Sequence, residues 1–280
     1  MIGGSIKASR CACLDRFFLP VVNHQLKGWK MIITSQRFTA RIALVTGGSR
    51  GIGAAVVRRL AKEGAAVAFT YSASRASAEA LVSSIEGEGG KALAIKADSR
   101  IAEDIERAVT TTVAHFGALN ILVNNAGILG LGSVDDFSIE AFDQMYAVNV
   151  RAAYIAAKAC SKVMNRGDRI ITVGSVAGER TGFPGSSAYS MSKSALIGMV
   201  RGLALDFAPR GITVNNIQPG PTATDMNPAD APYLEHVVGL VPLGRLGTAD
   251  EIAGMAAYLA SDDASFVTGA SLTVDGGYLA

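Results

Sequence analysis

The sequence predicts one doubly wound α/β domain, built on a mostly parallel seven-stranded sheet and occupying residues 37–280. Three observations predict it. From residue 41 onward, short apolar runs alternate with longer stretches of helical spacing, the pattern of a parallel sheet covered on both faces. Runs such as Ile42-Ala43-Leu44-Val45 and Asn120-Ile121-Leu122-Val123 are almost continuously apolar, as strands buried on both sides require. A glycine-rich turn lies between the first run and the first helical stretch.

The elements follow in order. Strands are expected at Ile42–Val45, Ala66–Tyr71, Leu93–Ile95, Leu119–Val123, Arg169–Val173, Ile212–Ile217 and Ser271–Val274. Helices are expected at Gly53–Lys62, Ser77–Glu86, Ile101–Phe116, Phe142–Met164, Ala188–Phe207 and Ala249–Leu259. In the first helix Val56, Val57 and Leu60 share a face, and the fifth is closed by Pro209 and Gly211. No Pro/Gly/Ser-rich linker and no internal repeat divides residues 37–280.

Composition excludes several alternatives. The chain has 280 residues, 49% hydrophobic and 18% charged, with a net charge of +2. That length and apolar content support a large core and exclude wholesale disorder. The small net charge gives no case for nucleic acid. Three cysteines cannot form a dense disulfide framework, so a reducing, cytoplasmic setting is expected. The longest stretch free of charged residues, Ala108–Val134, carries three threonines, a histidine and three asparagines, so no membrane span is expected. Residues 1–36 hold five basic side chains against Asp15 alone. They read as a basic leader, flexible or outside the fold, without the apolar stretch of a secretory signal. Cys11 and Cys13 give no four-ligand metal site, the three histidines have no ligand spacing, and Cys160 reads as core.

The turn reads Thr46-Gly47-Gly48-Ser49-Arg50-Gly51-Ile52-Gly53. Its glycines let backbone turn tightly and approach a pyrophosphate, and the following helix offers free N–H groups to it. Further along come Asn124-Asn125-Ala126-Gly127, then Asn149, then Ser175. Tyr189-Ser190-Met191-Ser192-Lys193 and Pro219-Gly220-Pro221-Thr222-Ala223-Thr224 follow. Taken together and in this order, these stretches resemble the single-domain short-chain dehydrogenase/reductases, over about residues 41–277. The resemblance implies a Rossmann domain, a nicotinamide cofactor and a homotetramer. It implies catalytic roles for Asn149, Ser175, Tyr189 and Lys193. It also implies cofactor contacts from Gly47, Ser49, Arg50, Gly51, Ile52, Gly53, Asn125, Ala126, Gly127, Tyr189, Lys193, Pro219, Gly220, Thr222 and Thr224, with Asp98 at the adenine. The family usually carries an apolar residue where Thr222 stands.

The end of the second strand meets the adenosine ribose in this fold, where an acid selects NAD by accepting from the 2′-hydroxyl. Residues 66–75 contain no acid; Tyr71 and Ser72 offer hydroxyls and Arg75 a guanidinium, with Arg50 as a second. Guanidinium groups suit a 2′-phosphate, so NADP(H) is expected. Tyr189 is the expected proton donor. Lys193, four residues on, lies on the same helix face and should lower the phenol pKa. The resemblance also gives Lys193 the nicotinamide ribose and Asn149 a relay water. Ser175 should hydrogen-bond the substrate oxygen.

The expected function is NADPH-dependent reduction of a ketone or aldehyde, similar to 3-oxoacyl-thioester reduction, with an apolar lid over residues 225–245. Glu179, Arg180 and Phe183 should border the pocket. The alternative is a nucleotide-binding regulatory member of the fold, of the cyclic-di-GMP, biofilm-dispersal type, which residues 218–229 and 174–180 resemble. An intact Ser, Tyr and Lys favours the enzyme.

Overall fold

A computed structural model describes Met1, residues 36–227 and residues 233–280. Residues 2–35 of the leader expected over 1–36, with Cys11 and Cys13, lie outside the described residues, as does 228–232 within the expected lid. Among the described residues seven strands form one sheet: β1 (Ile42–Val45), β2 (Ala66–Tyr71), β3 (Lys91–Lys96), β4 (Ile121–Asn124), β5 (Arg169–Val173), β6 (Thr213–Pro219) and β7 (Ser271–Val274). The order is β3-β2-β1-β4-β5-β6-β7, and every registered pair is parallel.

Parallel neighbours need crossovers, and helices supply them. The helices are α1 (Gly51–Lys62), α2 (Arg75–Gly87), α3 (Ala102–Phe116), α4 (Ile139–Tyr146), α5 (Ala152–Cys160), α6 (Ser187–Phe207), α7 (Leu234–Gly239) and α8 (Ala249–Ala260). Alternation along the strands divides the core. Val45, Phe69, Val123, Ile171 and Ile217 face α1, α2 and α8. Leu44, Ala68, Leu122, Ile170 and Val214 face α3, α5 and α6. The chain reverses its winding between β1 and β4, so a crevice opens there beyond the carboxyl ends of the strands.

One expectation is corrected. The single helix expected over Phe142–Met164 is α4, then a π-helical turn at Ala147–Arg151, then α5, ending at Cys160. Ser138 caps α4, its hydroxyl accepting from the Ala141 N–H at 3.1 Å. Apolar periodicity runs through the π turn, so the sequence hides it. The segment expected as a lid contains a helix, α7, too short for periodicity to reveal.

The opposite end of the sheet is held by charge. The Asp168 carboxylate is 3% exposed. It accepts from Arg41 at 3.3 Å, Asn120 Nδ2 at 3.0 Å and the Asn165 N–H at 2.7 Å. Truncating one member of a buried pair leaves the others unmatched. Asp168→Ala should therefore cost about 2–4 kcal/mol in urea unfolding, with nucleotide affinity unchanged, because the network lies at the far end of the strands.

Candidate active site

The glycine-rich turn is built by steric exclusion. Gly47 has φ +64° and Gly51 φ +54°, backbone that L side chains rarely adopt. A Cβ on Gly53 would stand 2.3 Å from the Gly47 carbonyl oxygen and 2.4 Å from Asn125 Nδ2. The expected residues Gly47, Ser49, Arg50, Gly51, Ile52 and Gly53 therefore form one compact turn opening α1. Asn125 works as a stitch. Its amide donates to the carbonyls of Thr46 at 2.9 Å and Gly47 at 3.0 Å.

Two threonines that sequence reading passed over complete the turn. Thr46 Oγ1 accepts from the N–H groups of Asn125 and Ala126, both at 3.0 Å. Thr70 Oγ1 accepts from the Gly47 N–H at 2.9 Å. Thr46 opens the glycine-rich stretch and was legible in principle; Thr70, inside a buried strand, carried no signal.

Around the crevice, Tyr71 ends β2 and Ser72 follows it, exposed. Arg75 is paired with Glu79 at 2.8 Å. Arg50 stands 3.8 Å from Asp225, both side chains more than 60% exposed. Exposed pairs of this kind contribute little and yield readily to a stronger anion. Asp98 lies at the start of the loop after β3, its carboxylate forked onto the Arg100 guanidinium at 2.5–3.1 Å. That pairing holds it below the usual carboxylate range. Pro219 and Gly220 close β6, and a Cβ on Gly220 would meet the Asp275 backbone at 2.6 Å. Thr224 lies beside the phosphate turn, 3.7 Å from a Cβ placed on Gly51. The Thr222 hydroxyl is turned inward, donating to the Gly220 carbonyl at 2.9 Å.

The four expected catalytic residues converge beside this crevice. Ser175 follows β5. Its Oγ accepts from the Ala177 N–H at 3.1 Å, and its side chain is a hydrogen-bond partner of Tyr189. Tyr189 and Lys193 lie one turn apart on α6. Lys193 is buried, and its ammonium donates to the Val173 carbonyl at 3.1 Å. Nζ lies 5.8 Å from the Tyr189 ring centroid. A Cβ on Gly127 would stand 3.6 Å from Nζ and 3.5 Å from Asn149 Oδ1, so Gly127 borders both.

Asn149 sits in the π turn, where one extra residue per turn re-aims the side chain inward. Its Oδ1 accepts from the Ile128 N–H at 2.8 Å. Its Nδ2 donates to the Ile128 carbonyl at 3.0 Å and to Ser192 Oγ at 3.0 Å. Ser192 Oγ in turn donates to the Tyr189 carbonyl at 2.7 Å. The amide thus ties the loop after β4 to the turn of α6 that bears Tyr189.

The electrostatics correct one expectation. Burial raises the Tyr189 pKa above its ordinary value, against a lowering hydrogen bond from Ser175. Burial also lowers Lys193, to about 8. With a value of about 8, Lys193 still carries its proton for the most part at neutral pH and loses it just above.

No group of three metal-ligating side chains occurs among the described residues, and none of their helices is long and apolar enough to cross a membrane. The buried Cys160 thiol is pushed up by desolvation and stays protonated.

The class is fixed by comparison. The enoyl-(acyl carrier protein) reductase family profile matches residues 47–279. A solved short-chain dehydrogenase/reductase from Serratia marcescens is 51% identical, with TM-score 0.86, covering 87% of this chain and 100% of that one. The chain belongs to the short-chain dehydrogenase/reductase family.

Within that family it is similar to the cyclic-di-GMP-binding biofilm dispersal mediator protein of Escherichia coli. The two are 46% identical over 86% of this chain and 98% of that protein. A short-chain dehydrogenase from Burkholderia cenocepacia, solved in complex with NADP, is 45% identical with TM-score 0.86. That match covers 87% of this chain and all of the other.

The buried lysine has a measurable signature. An unfolded chain keeps Lys193 near its ordinary 10.5, whereas the folded chain holds it near 8. Between those values the unfolded state binds the extra proton, so stability rises with pH across that window. Urea unfolding of nucleotide-free protein at pH 7.5 and 9.5 should show that rise, and Lys193→Met should remove its share.

Proposed function

We propose that the protein is an NADP(H)-dependent oxidoreductase that reduces a ketone or aldehyde to an alcohol, with Tyr189 as general acid. The observation that carries this reading is the convergence of two hydroxyl donors, Ser175 and Tyr189, with a buried lysine one helical turn behind.

The crevice residues suit the cofactor. The collision a Cβ would suffer at Gly53 marks backbone packed for close approach, and the α1 N-terminus adds free N–H groups for a pyrophosphate. Arg50 and Arg75 sit at the adenosine end with only exposed carboxylates to displace. Similarity to a protein solved with NADP supports the same cofactor here. Bound NADPH supplies the hydride.

The chain's own residues then handle oxygen and proton. Ser175 donates to the carbonyl oxygen and holds it as negative charge develops. Tyr189, kept protonated by burial, gives its proton to that oxygen. A raised phenol pKa keeps Tyr189 in the protonated form that reduction requires at neutral pH, while the reverse reaction needs the phenolate and gains as pH rises. Lys193, near the middle of its own titration at pH 8, can repay the proton from behind. The relay water assigned to Asn149 remains part of this proposal; what supports it is the Asn149 position beside Gly127 and Lys193.

Loops flanking the pair expose Leu129, Leu131, Phe183, Met226, Tyr233 and Leu243, an apolar border suited to an apolar carbonyl compound, a 3-oxoacyl thioester included. Tetrameric assembly belongs to the same reading and is supported by exposed Tyr154 and Leu205 on α5 and α6.

The test is NADPH consumption with a panel of 3-oxoacyl thioesters, β-keto esters, diketones and cyclic ketones. Turnover is expected, with kcat falling roughly 10²–10⁴-fold in Tyr189→Phe. Arg50→Ala and Arg75→Ala should each weaken NADPH binding roughly tenfold or more, leaving NADH binding nearly unchanged. The second reading, a cyclic-di-GMP-responsive regulator, rests on similarity to the Escherichia coli protein. It would prevail if cyclic-di-GMP bound saturably while no carbonyl was reduced.

A further inference from the structure

The C-terminal six residues are folded into a compact turn that touches three parts of the site at once. The tail leaves β7 beside the end of β6, where the Gly220 N–H donates to the Val274 carbonyl at 2.9 Å. The Asp275 carboxylate then accepts from the N–H groups of Gly277 and Leu279, both at 2.9 Å. Gly276 and Gly277, at φ +64° and +90°, make the bend that this requires.

The bend brings the tail against the segment after α7. The Leu243 N–H donates to the Gly276 carbonyl at 3.2 Å. A Cβ on Gly276 would lie 2.8 Å from Val241, and one on Gly277 would lie 2.9 Å from Pro242. These are contacts that only glycine permits.

One residue on, the tail grips the opposite wall. Arg180 Nη1 donates to the Tyr278 carbonyl at 3.2 Å, and the guanidinium lies 5.5 Å from the Tyr278 ring centroid. The Tyr278 hydroxyl lies 2.8 Å from where a Cβ on Gly182 would stand. Arg180 and Gly182 belong to the stretch between Ser175 and Tyr189. Its start is pinned to α6, Ser194 Oγ donating to the Gly178 carbonyl at 2.6 Å. Its end is pinned where the Gly132 N–H donates to the Gly185 carbonyl at 2.9 Å. Between these pins, residues 179–184 are exposed; local bonds run from the Glu179 and Arg180 N–H groups to the Val176 carbonyl and from Ser186 Oγ to the Phe183 carbonyl, and the tail adds a contact from a distant part of the chain.

We propose that Arg180 and Tyr278 are positioning residues: they clasp the C-terminal tail between the 179–184 loop and the 241–243 segment, and so set the spacing of the two walls that border the substrate. A cation held over a ring and bonded to the same residue's carbonyl is a directional clasp. Residues on that loop and segment, Phe183 and Leu243 among them, are exposed apolar groups, so wall spacing governs how a carbonyl substrate fits. The substrate part of this inference rests on the reductase reading; the clasp does not.

Hydrogen–deuterium exchange on the full chain tests the clasp without turnover. In Arg180→Met and Tyr278→Leu, amides of residues 234–243 should exchange at least fivefold faster, while α1 and β1 keep their protection. NADPH affinity, read by fluorescence, should stay within twofold. With a turned-over carbonyl, KM should rise at least tenfold and kcat change less than threefold. Arg180→Lys should restore most of both effects, because an ammonium can still reach the carbonyl and face the ring. Gly182→Ala, which displaces the Tyr278 hydroxyl, should loosen the same amides.

Unchanged exchange at 234–243, or a rise spread evenly over the chain, would overturn the clasp. Raised exchange with an unmoved KM would overturn its role in substrate positioning. If wild type reduces no carbonyl, the reductase reading fails on its own, and the exchange result still decides the clasp.

Discussion

A buried ammonium with no carboxylate beside it is the constraint around which this site is arranged. Lys193 meets the Val173 carbonyl and little else that can satisfy a charge. Burial therefore drives its proton off near pH 8. The same exclusion of water raises the Tyr189 phenol. The two shifts run in opposite directions from nearly equal ordinary values and move the pair apart in proton affinity, the phenol upward and the amine down to about 8. A phenol that stays protonated, backed by an amine that readily exchanges, is suited to giving a proton to an oxygen that has just become basic.

The fold accepts local cost to keep this arrangement. Val214, Ile170 and Leu122 form an apolar row under α6, and two residues further along each strand the row turns polar. Asn124, Thr172 and Asn216 occupy one register line across β4, β5 and β6. Asn124 Oδ1, Thr172 Oγ1 and Asn216 Oδ1 lack protein partners. Buried polar groups left this way are unfavourable for stability. They lie at the carboxyl ends of the central strands. The opposite end is the reverse case, with Asp168 bonded to Arg41, Asn120 and Asn165.

Much of this was legible in the amino-acid pattern, for physical reasons. Strands buried on both faces, such as IALV, read as unbroken apolar runs, and the glycines of the phosphate turn stand where a Cβ would collide, at Gly48 and Gly53, or where φ is positive, at Gly47 and Gly51. Tyr189 and Lys193 share a helix face at any register that keeps the helix intact. What stayed hidden depends on tertiary context. The π turn at Asn149 has the same apolar spacing as an ordinary helix. Thr70 looks like any β-branched strand residue until its hydroxyl is seen accepting from Gly47. The direction of the phenol shift required knowing how far the folded chain buries Tyr189, which local spacing cannot tell. The Tyr278–Arg180 contact joins positions 98 apart in sequence, beyond the reach of any local pattern.

The account turns on the protonation state of one phenol. Carbon-13 NMR of tyrosine labelled at Cζ, with the Tyr189 signal assigned by its loss in Tyr189→Phe, reads that state directly. The account predicts a Tyr189 resonance still in its neutral position at pH 9 in the nucleotide-free protein. A resonance that has already moved to the phenolate position at pH 8 would show that Lys193 outweighs burial, and would contradict the account.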